Sequence, residues 1–248
     1  MKIDELNNYL TLLLQPERFN DYCPNGLQVE GKREIHKIVT GVTASMDLLQ
    51  AAHKANADAI LVHHGYFWRN EALPITGIKK RRIQFLLQHD INLFAYHLPL
   101  DMHPELGNNV ILAKQLGLKV TGWAGEKNML ALTELNPPQT LKEFAKLVEA
   151  QLRRTPQVIG DLNKPISSVA LCTGAAQGYI EQAVAANVDV YISGEISEQT
   201  VHVARETGLS YISAGHHATE RYGIQELGEH LAQKFNLQHT FIDIENPV

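Results

Sequence analysis

The chain has 248 residues, 44% of them hydrophobic, which is enough to bury a sizeable core in one large or two small domains. A formal net charge of −5, with no basic run longer than Lys79-Lys80-Arg81-Arg82, argues against broad nucleic-acid or membrane-surface binding. No apolar stretch approaches the roughly 18 residues of a membrane span, and two cysteines, Cys23 and Cys172, exclude a disulfide framework.

In chain order, Met1-Lys2-Ile3-Asp4-Glu5-Leu6 carries acids where a secretory signal needs bases, so the expected compartment is the cytoplasm. Both cysteines read as small buried hydrophobes or spectators. Ile38-Val39-Thr40-Gly41-Val42-Thr43 predicts a strand, followed by a helix carrying Leu48, Leu49 and Ala52, an Asn56-Ala57-Asp58 turn and a buried strand over residues 59–62. That strand runs into His63-His64-Gly65, and both rings reach one point only if the backbone turns there, which the glycine permits. The basic tetrad reads as a solvated helix face. A helix is expected over residues 82–88 and a strand over 91–96, then Tyr96-His97-Leu98-Pro99-Leu100-Asp101-Met102-His103-Pro104, read as an extended loop held by its two prolines. Gly117 closes a helix over residues 108–116, and Thr140-Leu141-Lys142-Glu143 is a capping box opening an amphipathic helix to Leu152.

An offset of 131 places Ile38 on Val169 and aligns two stretches without a gap. The second copy runs Val169-Ala170-Leu171-Cys172-Thr173-Gly174, then Tyr179, Ile180 and Ala183, then Asn187-Val188-Asp189 and Val190-Tyr191-Ile192-Ser193. Each copy is a βαβ unit, which implies parallel strands joined by a right-handed crossover. A helix over residues 198–206, Gly208 as its cap and a strand over 209–213 extend the second copy as the first is extended. The expected fold is therefore α/β, with two similar halves (1–125 and 126–248), mainly parallel sheets and a C-terminal strand free to pack back on the first half. Residues 122–138 are the expected connection. Two generic βαβ sequences that share Ala, Val and Gly by chance are the alternative.

In parallel α/β sheets functional groups gather at strand carboxyl ends. Here those ends carry His63 and His64, His97 and Asp101, Glu195, and Gly215-His216-His217-Ala218-Thr219-Glu220. On a helix His216 and Glu220 share one face, and His217 points about 100° away. Taken singly, each has an ordinary reading as a strand cap, an exposed polar loop or a helical polar pair. His36, His53, His202, His230 and His239 are scattered and read as surface residues. Three imidazoles (His63, His64, His216) and two carboxylates (Asp101, Glu220) exceed one tetrahedral site and suit two divalent ions about 3.5–4 Å apart with a bridging water. Mixed N/O donors favour Zn, Fe, Mn, Co or Ni over Ca or Mg, and the chemistry indicated is hydrolytic.

Asn25-Gly26-Leu27-Gln28-Val29, Thr40-Gly41-Val42-Thr43, Val62-His63-His64-Gly65, His97-Leu98-Pro99-Leu100-Asp101, Gly107-Asn108-Asn109 and Gly215-His216-His217-Ala218-Thr219-Glu220 together resemble the YbgI-like dinuclear-metal family, the GTP cyclohydrolase 1 type 2 homologues. The resemblance spans about residues 25–221. It implies two similar α/β halves, a dimetal centre on His63, His64, Asp101, His216 and Glu220 with His97 beside them, and a ring-shaped homohexamer built as a trimer of dimers. The additional domain carried by some relatives has no room in the short 122–138 connection. The family label implies hydrolytic opening of a purine ring at C8, for which His97 and Glu195 are candidate proton-transfer groups on position alone. No Walker-type phosphate loop is present. Thr173-Gly174-Ala175-Ala176-Gln177-Gly178 is a weak anion-nest candidate better read as a tight βα turn.

The leading expectation is thus a metal-dependent hydrolase acting on a small-molecule nucleotide or a purine- or pterin-like ring. A two-metal phosphoesterase is separated from it by its products. A non-enzymatic metal-binding or interaction protein is separated by tolerance of the loss of His97 and Glu195.

Overall fold

Apolar runs too long for one wet face demand cover on both sides, and the fold supplies it twice. The computed structural model describes residues 1–248. In chain order its elements are α1 (Ile3–Leu14), β1 (Gly26–Val29), β2 (Lys37–Thr43), α2 (Met46–Lys54), β3 (Ala59–His64), α3 (Gly77–Gln88), β4 (Asn92–Ala95), α4 (Leu98–Asp101) and α5 (Asn108–Gln115). There follow β5 (Val120–Ala124), β6 (Leu130–Thr140), α6 (Leu141–Leu152), β7 (Gln157–Ile159), β8 (Pro165–Leu171), α7 (Ile180–Ala185), β9 (Val190–Ser193), α8 (Glu198–Thr207), β10 (Ser210–Ser213), α9 (His216–Phe235) and β11 (Gln238–Phe241). Two compact units result: Met1–Gly107 with Gly223–Glu245, and Asn108–Tyr222 with Asn246–Val248. No helix is long and apolar enough to cross a membrane.

The first unit holds a five-stranded sheet ordered β1-β4-β3-β2-β11, parallel except for β1 against β4. Successive residues of β3 enter opposite layers. Ala59 and Leu61 pack with Leu6 and Leu10 of α1 and Leu227 and Leu231 of α9, whereas Ile60 and Val62 pack with Leu48 and Leu49 of α2 and Leu86 of α3. A strand covered this way reads as a continuous apolar run. Near the same layers, His230 bonds to Tyr9 Oη, and His239 Nε2 lies 2.8 Å from Thr40 Oγ1. These two histidines, read from sequence as surface residues, are half-buried and partnered. In the basic tetrad Lys80 and Arg81 are exposed as expected, while Lys79 reaches Ala72 O and Arg82 lies over Tyr66.

The second unit holds a six-stranded sheet ordered β5-β6-β8-β9-β10-β7. Only β8–β9 and β9–β10 are parallel; the other three pairings are antiparallel, so this sheet is mixed rather than mainly parallel. The difference comes from residues 122–138. Rather than connecting two halves they form most of β5 and β6, an antiparallel pair inside this unit, and the division between units falls after Gly107. Phe144 and Val148 of α6 pack on Val169, Leu171, Ile192 and Ile212. The capping box forms as expected: Thr140 Oγ1 accepts from Glu143 N, and the Glu143 carboxylate accepts from Thr140 N.

One polar device recurs at the 131-residue offset. Asn56 (φ 57°) and Asn187 (φ 54°) turn the chain in the left-handed region, which asparagine tolerates better than most residues. Two residues on, Asp58 Oδ2 accepts from His36 N (2.9 Å) and Lys37 N (3.0 Å), and Asp189 Oδ2 accepts from Ser167 N (2.8 Å) and Ser168 N (3.0 Å). Burial raises the Asp58 pKa, but Lys32 at 2.8 Å and the two amides outweigh it and hold the group below the ordinary carboxylate value. The carboxylate therefore stabilises the fold above its unfolded pKa, and that contribution fades as pH falls through the lower folded value. Asp58→Asn should cost about 1–3 kcal/mol in urea unfolding at pH 7. Its gap to wild type should narrow below about pH 4; a gap independent of pH would contradict the assignment.

Candidate metal centre

In the first unit β3 and β4 run parallel, with Val62 opposite Ala95, so their carboxyl ends deliver His63, His64 and His97 side by side. The strand does not turn at the histidine pair: His64 still pairs with Thr43, and the chain departs at Gly65. The side chains make the approach, with His63 and His64 ring centroids 4.6 Å apart. His97 lies 5.1 Å from His63 and 5.7 Å from His64 by the same measure, and one nitrogen of each of the three rings lies within 4.8 Å of the others. Fully buried His63 donates from Nδ1 to Tyr96 O at 2.9 Å, since a carbonyl can only accept, and its Nε2 lies 3.4 Å from Asp101 Oδ1. His64 Nδ1 lies 3.2 Å from Thr43 Oγ1.

The expected extended loop after His97 is instead one helical turn, α4, in which Asp101 N donates to His97 O at 3.1 Å. Pro99 sits in its first turn, where a missing N–H leaves no bond unmade, so it starts the turn rather than blocking it. That turn sets His97 and Asp101 four residues apart on one helical face.

Two residues hold His97: Asp21, which the reading of the sequence missed, and Asn25, which it placed in a motif without a role. Asp21 Oδ1 accepts from His97 Nδ1 at 2.7 Å, and Asn25 Oδ1 accepts from His97 N at 2.7 Å. Burial pushes Asp21 up, but its bonds to His97, Asn25 and Tyr22 N prevail and hold the carboxyl down at about 2. Cys23, two residues on, is pushed up to about 12 by burial and the Asp21 charge, so its thiol is held protonated at neutral pH in the metal-free protein.

In the second unit β9 runs out into Gly194 and β10 into Ala214-Gly215, and α9 begins at His216. His216 Nε2 lies 3.1 Å from Glu220 Oε2 one turn along, and its Nδ1 lies 2.7 Å from Glu195 Oε1. Gly174 closes this arrangement. Its φ is +69°, and a Cβ there would stand 2.0 Å from Glu220 Oε1. Its N–H donates to Thr219 Oγ1 at 3.0 Å. The turn at 173–178 is thus packed against a carboxylate, which favours the tight-turn reading over an anion nest. Glu195, a candidate proton carrier from sequence, is engaged with His216. Burial lowers the His216 pKa, but Glu220 and Glu195 overcome it and hold the imidazole up at about 9.

Each unit therefore brings its predicted residues together: His63, His64, His97 and Asp101 in the first, His216, Glu220 and Glu195 in the second. These are nitrogen and oxygen donors, several buried and tethered through their second atom, as ligands to Zn, Fe, Mn, Co or Ni commonly are. The residues fit such ions.

The Duf34/NIF3 (NGG1p interacting factor 3) family matches residues 1–247. Curated relatives called GTP cyclohydrolase 1 type 2 homolog include one from Pseudomonas aeruginosa, 53% identical over 99% of this chain and 96% of its own, and one from Vibrio cholerae, 53% identical over 98% of both. Among solved structures, protein ybgI, described as of unknown function, superposes with a TM-score of 0.97 at 49% identity over all of both chains. TTHA1606 from Thermus thermophilus does so with a TM-score of 0.90 at 35% identity over all of both chains.

An imidazole held up at about 9 is protonated at neutral pH, stabilises the metal-free fold fully below about pH 6.5, and loses that contribution as pH rises through about 9. A metal binding at His216 must displace that proton. Titrating Zn²⁺ into metal-stripped protein at pH 7.5, in buffers of different ionisation enthalpy, should release about one proton more from wild type than from His216→Gln. Equal release from the two would contradict the electrostatic picture.

Proposed function

Because the chain belongs to the Duf34/NIF3 family, we propose that it is a metal-dependent hydrolase of GTP cyclohydrolase 1 type 2-like chemistry, acting on a nucleotide or a purine- or pterin-like ring. The observation that carries the reading is the clustering of His63, His64 and His97, with Asp101 beside His63, at the strand ends where catalytic groups of parallel α/β sheets gather. The name borne by the relatives supports the substrate class. In this reading His63, His64, Asp101, His216 and Glu220 hold two divalent transition-metal ions per chain. When bound, such ions supply Lewis acidity and bring the deprotonation of water into the neutral range.

The chain's own residues do the rest. The Tyr96 carbonyl holds the His63 ring by Nδ1 and so assigns Nε2 to the ligand role. Glu195 holds His216 by Nδ1 in the same fashion, a better use of that carboxylate than proton carriage. His97, beside the ligands and tethered at one nitrogen, takes the proton-transfer role. Trp68, edge-on to the His97 ring at 5.1 Å, walls the cluster with an apolar surface suited to a planar ring. We read the two units as a duplication, supported by the matched Asp58 and Asp189 devices, and a ring-shaped hexamer as the assembly, on family resemblance.

Protein loaded in turn with Zn²⁺, Mn²⁺, Fe²⁺, Co²⁺ or Ni²⁺ and incubated with GTP should yield a ring-opened product by mass spectrometry. His97→Gln should keep its metal and lose at least about 10²-fold in rate. Phosphate release with the ring intact would move the assignment to a phosphoesterase. Retained metal with no change in GTP under any loading would overturn the cyclohydrolase reading in favour of a metal-binding protein.

A further inference from the structure

The segment over residues 20–25 leads into β1 and carries a carboxylate to which nothing above gives a role in the chemistry. The Asp21 side chain is 3% exposed and accepts four hydrogen bonds. Oδ1 takes them from Tyr22 N (2.6 Å) and His97 Nδ1 (2.7 Å), and Oδ2 from Asn25 Nδ2 (2.9 Å) and Leu98 N (2.9 Å). Asn25 completes the clamp by accepting from His97 N at 2.7 Å. His97 is thus gripped by its ring, by its own amide and by the amide that follows it.

A group that receives three other N–H donors is an ionised carboxylate, and an ionised carboxylate only accepts. The hydrogen between Asp21 and His97 therefore sits on Nδ1. That leaves the lone pair of a neutral ring on Nε2, the nitrogen remote from Asp21, in a ring whose centroid lies 5.1 Å from His63 and 5.7 Å from His64. A metal held among Asp21, Cys23 and His97 is the competing use of these atoms. It would break the 2.7 Å bond and need a thiolate that this environment disfavours.

We propose that Asp21 is a positioning residue: its carboxylate fixes His97 as the Nδ1–H tautomer and so makes Nε2 the proton acceptor of the site. The acceptor role rests on the hydrolytic reading above; the tautomer does not. In the step served, the oxygen of water bonds to the electrophilic ring carbon and the C=N pair moves to nitrogen. The water O–H breaks, its proton passes to His97 Nε2, and the imidazolium is stabilised by Asp21 until Nε2 returns the proton to that nitrogen. In the resulting hydroxyl adduct a ring C–N bond then breaks with its electron pair leaving on nitrogen, as the hydroxyl proton passes by way of Nε2 to the departing nitrogen and the C=O bond forms. This is the division of labour of an Asp–His pair in which the aspartate orients and the histidine carries the proton.

The test uses the full chain, labelled with ¹⁵N-histidine and stripped of metal, with ¹⁵N–¹H correlation spectra of the imidazoles. His97→Gln identifies the His97 signals. Wild type should show a protonated Nδ1 and a bare Nε2; the reverse in wild type overturns the proposal without recourse to any Asp21 variant. In Asp21→Asn the side-chain amide can donate to Nδ1, and the pattern should invert or mix; an unchanged Nδ1–H state also overturns it. The metal-loaded Asp21→Asn protein should keep its metal content and lose about 10²-fold in kcat on GTP with little change in KM. Loss of one metal equivalent in both Asp21→Asn and Cys23→Ser would instead establish the competing metal site. If the tautomer inverts as stated while wild type leaves GTP untouched, the positioning stands and the hydrolytic reading is what fails.

Discussion

A strand covered on both faces admits a polar side chain only where a partner is waiting for it or where the cover runs out. Ala59, Ile60, Leu61 and Val62 alternate between two apolar layers, and each is fully buried. Any unpaired polar group among them would cost on the order of 1–3 kcal/mol or more. His63, still fully buried and bonded to Tyr96 O, and the half-buried His64 follow directly, and β4, parallel to β3, ends at the same level and adds His97. Parallel pairing is therefore what converts separate sequence motifs into one cluster. The same logic operates within the second unit, where β9 and β10 lie in parallel register and release Glu195 and His216 together.

Placement alone would let the rings rotate. Each of the four imidazoles is tied through one ring nitrogen: His63 to Tyr96 O, His64 to Thr43, His97 to Asp21, and His216 to Glu195. The ties differ in kind, and so does their electrostatic effect. A carbonyl partner fixes a ring without adding charge. Two carboxylates on His216 hold it as an imidazolium, so that site is preorganised for positive charge before any ion arrives. The first unit sets three imidazoles together, with Asp101 against His63. Close approach in the second unit depends on glycines: a Cβ on Gly194 would stand 2.7 Å from Gly174 O, and one on Gly174 would meet Glu220.

What the sequence made legible follows period and chain-local chemistry. The apolar runs of β2, β3, β8 and β9, the capping box of α6 and the Gly208 cap of α8 are local signals, and each is realised where it was read. The helical pairing of His216 with Glu220 was legible for the same reason. β5 and β6 were not: over residues 130–140 buried Leu130, Ala131, Thr133 and Leu135 give way to exposed Glu134, Asn136, Pro137 and Pro138, which imitates a linker until the neighbouring strand is known. α4 was missed because Pro99 reads as a loop former when the turn it starts is only four residues long. Asp21 was invisible because its partner lies 76 residues away, and only the pairing of β1 with β4 brings the two segments together. Glu195 was found by its position after β9 but not its bond to His216, since strand order says which residues converge and not which atoms bond.

The proposed chemistry stands or falls on whether the residues at these strand ends hold metal. Metal content per chain, by inductively coupled plasma mass spectrometry on protein purified without added metal, tests that most directly when wild type is compared with Asp101→Ala and Glu220→Ala. About two transition-metal equivalents are predicted in wild type, with a sharp fall in both variants. Substoichiometric metal, indifferent to both substitutions, would contradict the dinuclear centre and leave the clustered histidines without the ions on which the proposed hydrolysis depends.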